Sequence, residues 1–122
     1  MKKQIDKLPE LSEHSIQQLC INYLKVKGFY TMRLNSGKYS VGEGRNKRFI
    51  MGQEAGTPDI LAFRKAYQSG GVAKGVAKLY FFEVKRPKGR LTFYQGQMMK
   101  ELQEKGAQCY VVHSLEELQE II

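Results

Sequence analysis

Two acidic residues and one lysine occupy positions where neighbouring strands are predicted to begin or end. Asp59 follows Pro58 and opens an apolar run, whereas Glu83 and Lys85 lie near the end of a longer apolar run. Residues i and i+2 of a strand point to the same face, about 6 to 7 Å apart, so Glu83 and Lys85 project together. If the two strands are neighbours, two carboxylates and an ammonium group converge at one edge of an apolar sheet.

Such a group has a specific chemical use. Two close carboxylates repel each other unless a positive charge lies between them, and Mg²⁺ or Mn²⁺ with oxygen ligands meets that need. The cation can polarise a phosphate and lower the pKa of a bound water. Lys85 could orient or deprotonate that water, or stabilise charge in the transition state. The alternative is a simple ion pair of Glu83 with Lys85 or Arg86 at a solvated strand end.

The hydrophobic pattern predicts the elements that position these residues. Ser12 and Thr92 are predicted N-caps, and Gly28 and Gly106 are predicted to end the helices that they open. The predicted helices are 12–27, 93–105 and a short one from Ser114, with Glu117 in capping-box position, and the predicted strands are 29–34, 48–51, 59–63, 78–85 and 108–112. Segment 65–77 is either a loop or a hairpin turn with ragged ends. The order α-β-β-β-β-α-β-α indicates an α/β fold in which helices flank a mixed sheet.

Length and charge limit the range of functions. The 122 residues suffice for one domain, predicted at 12–122 behind a basic N-terminal lead-in at 1–11. The net charge of +8 favours a polyanionic partner, nucleic acid first and an anionic membrane surface second. We expect no membrane span, no signal peptide and a cytoplasmic location. Cys20 and Cys109 are expected to be reduced. They lack CxxC spacing, and His14 and His113 are far apart in the sequence, which argues against a zinc site.

The motif sequence resembles a known nuclease superfamily, PD-(D/E)xK, and within it the VRR-NUC domain family most closely. The likeness begins at Ser12-Glu13 and runs to the C-terminus, with 65–77 as its least similar part. The residues that carry it are Gly56-Thr57-Pro58-Asp59-Ile60, Phe82-Glu83-Val84-Lys85-Arg86-Pro87, Gly89-Arg90-Leu91-Thr92, Gln95, Leu102, Gly106-Ala107 and the segment 111–118.

The resemblance implies a restriction-endonuclease-like fold and a structure-selective deoxyribonuclease that uses Mg²⁺, with Mn²⁺ as a substitute. Stand-alone domains of this kind are similar to Holliday-junction resolvases, often encoded by phages, and act as homodimers. The expected catalytic residues are Asp59, Glu83, Lys85, Glu13 and Gln95. The expected metal ligands are Asp59, Glu83, Glu13 and the backbone carbonyl of Val84. From its position, Gln95 could cap its helix, contact the site, or do both.

Two clusters of basic residues are candidates for binding DNA phosphates. They comprise Arg86, Lys88 and Arg90 after the active strand, and Arg45, Lys47 and Arg48 after a glycine-containing loop. The sequence contains no separate base-reading element, so specificity is expected to come from DNA shape. The expected substrate is branched or four-way-junction DNA. The alternatives are a non-catalytic DNA-binding module of the same fold, a flap-type nuclease and an RNA nuclease.

Overall fold

The computed structural model describes residues 10–34, 38–46, 48–51, 54–68 and 71–122. Its elements, in chain order, are α1 (Glu13–Val26), β1 (Tyr30–Arg33), β2 (Lys38–Val41), a 3-10 turn (Gly44–Asn46), β3 (Arg48–Met51), β4 (Ile60–Gln68), β5 (Gly71–Val84), α2 (Phe93–Glu104), β6 (Gln108–Val112) and α3 (Leu115–Ile121). Among the described residues, no helix is long and apolar enough to cross a membrane.

The main sheet is mixed and has four strands in the order β1-β4-β5-β6. The pairs β1–β4 and β4–β5 are antiparallel, and β5 runs parallel to β6. The chain reaches β6 through α2, because a parallel pair needs a crossover connection. Strand β5 lies between two partners, which confirms the central position indicated by its apolar character on both faces. The α/β class with a mixed sheet and flanking helices is therefore confirmed.

The element order differs from the prediction by one strand. The segment Lys38–Val41 was predicted to be loop, but it forms β2 and pairs with β3 in a separate two-stranded sheet. The order is thus α-β-β-β-β-β-α-β-α. A strand of four residues carries too little apolar periodicity to stand out from a polar loop, since its stability depends on backbone pairing with β3.

Segment 65–77 is a hairpin rather than a loop. Strand β4 continues to Gln68 and β5 already begins at Gly71, with a register shift between Lys65 and Tyr67. The loop alternative is wrong and the hairpin alternative is confirmed, including its irregular pairing. The sequence did not indicate these strands because glycines interrupt the apolar pattern of the segment. Cross-strand hydrogen bonds use the backbone and do not require apolar side chains.

The core lies between one face of the main sheet and α1. Ile16, Cys20 and Leu24 recur every four residues on α1 and are almost fully buried. They pack with α3 and with alternate sheet residues, a cluster that comprises Ile21, Phe29, Ile60, Ala62, Tyr80, Phe82, Val84, Val112 and Leu118. As predicted, the Ser12 side chain caps α1 by accepting from the Ser15 N–H, and Gly28 after the helix has a φ of 87°.

The second helix covers the other face of the sheet. Side chains alternate along β5, so Glu83 points away from the core residues Phe82 and Val84. The side chain of Gln95, in the first turn of α2, contacts Glu83. The sheet therefore separates an apolar core under α1 from a polar site beneath the N-terminal end of α2.

Candidate active site

Asp59 is held between two strands at the start of β4. Its backbone carbonyl accepts a hydrogen bond of 2.7 Å from the Leu34 N–H. Its carboxylate Oδ2 accepts one of 2.7 Å from the Val84 N–H at the end of β5. The preceding Pro58 is fully buried. The predicted approach of Asp59 to the end of the next strand is therefore confirmed.

A close backbone contact fixes the loop that carries Asp59 against α2. Gly56 has a φ of 89°, and a Cβ at this position would lie only 2.5 Å from the Tyr94 carbonyl oxygen. Only glycine combines that conformation with that approach. Further along the loop, the Thr57 hydroxyl donates a hydrogen bond of 2.6 Å to the Glu54 carbonyl. The loop therefore brings Asp59 and the first turn of α2 to the same place.

Glu83 is a buried carboxylate with one oxygen unsatisfied. The residue is 3% exposed. Its Oε1 accepts a hydrogen bond of 3.1 Å from Gln95 Nε2 and lies 3.6 Å from Lys85 Nζ. Its Oε2 is buried without a hydrogen-bond partner. A carboxylate that is buried in this way is costly unless a further positive or donor group reaches it.

The two carboxyl groups have raised pKa values. Burial, followed by the negative charge of Asp59, raises the pKa of Glu83 to about 8, against the opposing effect of Lys85. Burial also raises the pKa of Asp59, although the Val84 N–H opposes the shift. Without a cation, protonation of one of these carboxyl groups is therefore favoured over two adjacent negative charges.

Lys85 lies beside the carboxylates rather than in bulk solvent. Its side chain is 12% exposed and that of Glu83 is 4% exposed. The ion pair of the alternative interpretation is thus present, but it is buried and not at a solvated strand end. The backbone N–H of Lys85 donates a hydrogen bond of 3.0 Å to the Val112 carbonyl. This bond extends the β5–β6 pairing and fixes the position of the Lys85 backbone.

Gln95 performs both of the roles that the sequence left open. Its side-chain oxygen accepts a hydrogen bond from the Thr92 N–H, and its own N–H donates to the Thr92 hydroxyl, so the capping box is complete. Its amide nitrogen simultaneously donates to Glu83. Capping therefore fixes the amide in the orientation that contacts the Glu83 carboxylate.

Glu13 lies near the site without completing a compact ligand group. It is in the first turn of α1, and its charge contributes to the raised pKa of Asp59. The described part of the chain contains no group of three His, Cys, Asp or Glu side chains that could hold a metal ion. A cavity of about 540 Å³ opens beside it, lined by Glu10, Leu11, Ser12, Glu13, His14 and Arg86.

One predicted phosphate-binding cluster lies next to the site. Arg86, Lys88 and Arg90 are exposed in the turn that follows β5. The Gly89 carbonyl in this turn lies 3.1 Å from His113 Nε2, and His113 Nδ1 lies 3.0 Å from Glu117 Oε2. His113 therefore contacts both the basic turn and α3. Its contact with Gly89 spans 24 residues, and no local sequence pattern indicates it.

The second basic cluster is described only in part. Arg45 is exposed in the 3-10 turn. Arg48 begins β3, but its side chain lies outside the described part of the structure, as does the whole of Lys47. The structure therefore does not place this cluster relative to Asp59 and Glu83.

Comparison with family models, curated proteins and solved structures found no match to the chain. The resemblance to the VRR-NUC family thus stays a prediction from the motif residues. The geometry of Asp59, Glu83, Lys85 and Gln95 stands independently of it.

Proposed function

We propose that the protein is a Mg²⁺- or Mn²⁺-dependent DNA endonuclease that hydrolyses phosphodiester bonds in branched DNA. Asp59, Glu83 and Lys85 form its catalytic group, and Gln95 contacts that group as a further member. The proposal rests on one observation above all. The buried Oε2 of Glu83 has no hydrogen-bond partner although a second carboxylate lies beside it.

A divalent cation fits this arrangement. A buried carboxylate without a partner lowers stability, and a second carboxylate at close range adds repulsion. A cation between Asp59 and Glu83 would remove both costs. Mg²⁺ commonly uses only one or two carboxylates and completes its shell with waters and substrate phosphates, so a third protein carboxylate is not required. The carbonyl of Val84 and the carboxylate of Glu13 are the proposed additional ligands.

The side chains then divide the chemistry among them. The bound cation would supply Lewis-acid polarisation of the phosphate. The Val84 N–H holds Oδ2 of Asp59 and Gln95 holds Oε1 of Glu83, so both carboxylates are fixed before substrate arrives. Lys85 would orient the attacking water or stabilise the negative charge that develops on the phosphate. The exposed Arg86, Lys88 and Arg90 would bind neighbouring phosphates.

Branched DNA and a dimeric assembly follow from the motif resemblance and from symmetry. One chain carries one such group, and two paired cuts in a four-way junction need two. A C2 homodimer would supply them with the symmetry of the junction. Light scattering at micromolar concentration, with and without junction DNA, tests this part. A monomer in both conditions would contradict the resolvase assignment and favour single cuts at flaps.

The direct test is cleavage of labelled four-way junction, flap, duplex and RNA substrates with Mg²⁺, Mn²⁺ or EDTA. We expect metal-dependent cleavage of branched DNA that Glu83→Gln, Asp59→Asn and Lys85→Ala abolish. Binding to DNA should survive in Glu83→Gln and Asp59→Asn, because loss of a carboxylate eases the approach of phosphate. Glu104→Gln, an exposed change at the far end of α2, is the matched control.

Three results would contradict the proposal. Cleavage that persists in EDTA would exclude the metal. A Glu83→Gln rate above about a tenth of wild type, a loss of less than about 1.4 kcal/mol of transition-state stabilisation, would exclude the catalytic role. Tight DNA binding without cleavage in any metal would leave a binding module of the same fold.

A further inference from the structure

Three large apolar side chains are exposed at the N-terminal end of α2. Leu91, Phe93 and Tyr94 are 36%, 71% and 64% exposed. The rings of Phe93 and Tyr94 contact each other edge to face, with centroids 5.7 Å apart. Isolated exposed apolar residues are ordinary, but a contiguous group beside a functional site indicates an interaction surface.

This aromatic pair lies in the same helical turn as Gln95, which contacts the Glu83 carboxylate. Phe93 and Tyr94 are the first two residues of α2, and the third, Gln95, donates its hydrogen bond to Glu83. The backbone of Tyr94 also contacts Gly56 in the loop that carries Asp59. The backbone that carries the rings is therefore fixed relative to the site, while most of each ring is exposed to solvent.

The surroundings of the pair carry positive charge. Arg86, Lys88 and Arg90 precede it in the chain and are exposed. Among the residues that the structure describes, none of the three has a carboxylate within 4.0 Å. Cationic side chains next to open aromatic rings are the combination that binds single-stranded nucleic acid, where phosphates meet the charges and bases stack on the rings.

We propose that an unpaired nucleobase of the substrate stacks on one ring of the Phe93–Tyr94 pair and meets the edge of the other, so that the protein selects DNA in which bases are unpaired beside the bond to be cut. This inference rests on the proposed nuclease function and specifies its substrate class. In an intact duplex each base is stacked between neighbours and cannot offer its face to the rings. At a flap, bubble or branch point an unpaired base can turn outward and use them.

The test measures stacking directly and does not depend on cleavage. The full chain is titrated in EDTA into flap DNA, a four-way junction with one unpaired base at its branch point, and duplex DNA. In each of them 2-aminopurine replaces one base, which is unpaired in the flap and the junction. The test variant is Phe93→Leu/Tyr94→Leu, which keeps apolar surface but removes the rings. The control is Tyr67→Leu, since Tyr67 is 75% exposed and lies eight residues along β4 from Asp59, or about 26 Å.

The wild type and the control should quench the fluorescence of the unpaired probe, and the double variant should not. The double variant should bind branched DNA about 5- to 100-fold more weakly, the effect expected for one stacked base. Its affinity for duplex should stay within about twofold of wild type, because phosphate contacts are kept. An unchanged melting temperature shows that both variants are folded.

Equal losses for duplex and branched DNA would overturn the inference, as would quenching by the double variant. Loss of the dimer in light scattering together with unchanged quenching would assign the rings to contact with a second copy, which also overturns it. Failure of the nuclease proposal has a different signature. A chain that quenches the unpaired probe but never cleaves with Mg²⁺ would keep the stacking surface and exclude the enzyme.

Discussion

At the scale of single residues, Glu83 is a buried carboxylate that lowers the stability of the fold when it is ionised. Its environment provides one hydrogen bond and one nearby ammonium group, while its second oxygen has no partner. Burial, followed by the negative charge of Asp59, disfavours the ionised form in the absence of a cation and raises the pKa of Glu83 to about 8. When the pKa of a group is higher in the folded than in the unfolded chain, stability falls as pH rises from the unfolded-state pKa to the folded-state pKa, because the unfolded chain releases the proton first.

We therefore expect Glu83→Gln to stabilise the metal-free protein in a pH-dependent way. Near pH 4.5 the wild-type carboxyl group is protonated and the two proteins should melt alike. As pH rises from about 4.5 to about 8, the wild type loses the stability that depends on protonated Glu83, a loss that the variant does not share. At pH 8.5 in EDTA the variant should melt at least about 4 °C higher, equivalent to roughly 1 kcal/mol.

Thermal melts across this pH range provide the measurement, and addition of Mg²⁺ provides the control. A cation that binds the folded wild type should raise its melting temperature and reduce the difference from the variant. A difference that stays constant from pH 4.5 to 8.5 would show that Glu83 does not titrate as described.

The sequence predicted that Asp59, Glu83 and Lys85 converge, and this convergence is confirmed. The spacing of Glu83 and Lys85 fixes a common face as soon as the segment is a strand, because the period of two is a property of the backbone. The distance from Glu13 to Asp59 depends instead on how α1 packs on the sheet. No local pattern encodes that distance, so the contribution of Glu13 could not be settled from spacing.

Among the elements, the loop before β4 and the first turn of α2 form one structural unit. Gly56→Ala should break it, because the added methyl group would lie 2.5 Å from the Tyr94 carbonyl and the φ of 89° disfavours any other residue. We expect a loss of about 1 to 3 kcal/mol in stability. Cleavage should fall as well, since Asp59 follows three residues later.

Gly96→Ala is the matched control on the same helix. A Cβ at this position would meet nothing within 4 Å. Alanine favours the helix over glycine by about 0.5 to 1 kcal/mol, so this variant should be slightly more stable than wild type and should keep its activity. Thermal melts and cleavage rates compare the two, and equal effects would mean that the close approach at Gly56 has no special role.

The elements that depend on residues close together in the sequence were predicted correctly, whereas an element that depends on pairing with another segment was missed. The Thr92 capping box and the Ser12 cap were confirmed because each involves residues only three apart. At α3 the Ser114 cap was also confirmed, but the Glu117 carboxylate accepts from the His113 N–H instead of from Ser114. Strand β2 was missed because its stability lies in pairing, which a single segment does not reveal.

At the scale of the whole molecule, the net charge of +8 predicts that affinity for DNA depends on salt concentration. If Arg86, Lys88 and Arg90 each neutralise one phosphate, log affinity should fall with log salt with a slope of about −2.7. Between about 50 and 200 mM salt this is roughly a 40-fold loss. Replacing all three by glutamine should flatten the slope by about the same amount, as measured by fluorescence anisotropy in EDTA. An unchanged slope in that variant would mean that other residues contact the phosphates.

The β4–β5 hairpin extends beyond its neighbours in the sheet. Strand β1 pairs with β4 only up to Phe63, and β6 pairs with β5 only from Tyr80 onward. Between these limits and the turn, the hairpin is a two-stranded ribbon, an arrangement that is marginally stable by itself. Amide hydrogens near Lys65 and Ala77 should therefore exchange with deuterium through local opening, whereas those of Phe82 and Val84 should exchange only when the whole domain unfolds. Equal protection along β5 would show instead that the ribbon opens only together with the domain that anchors it.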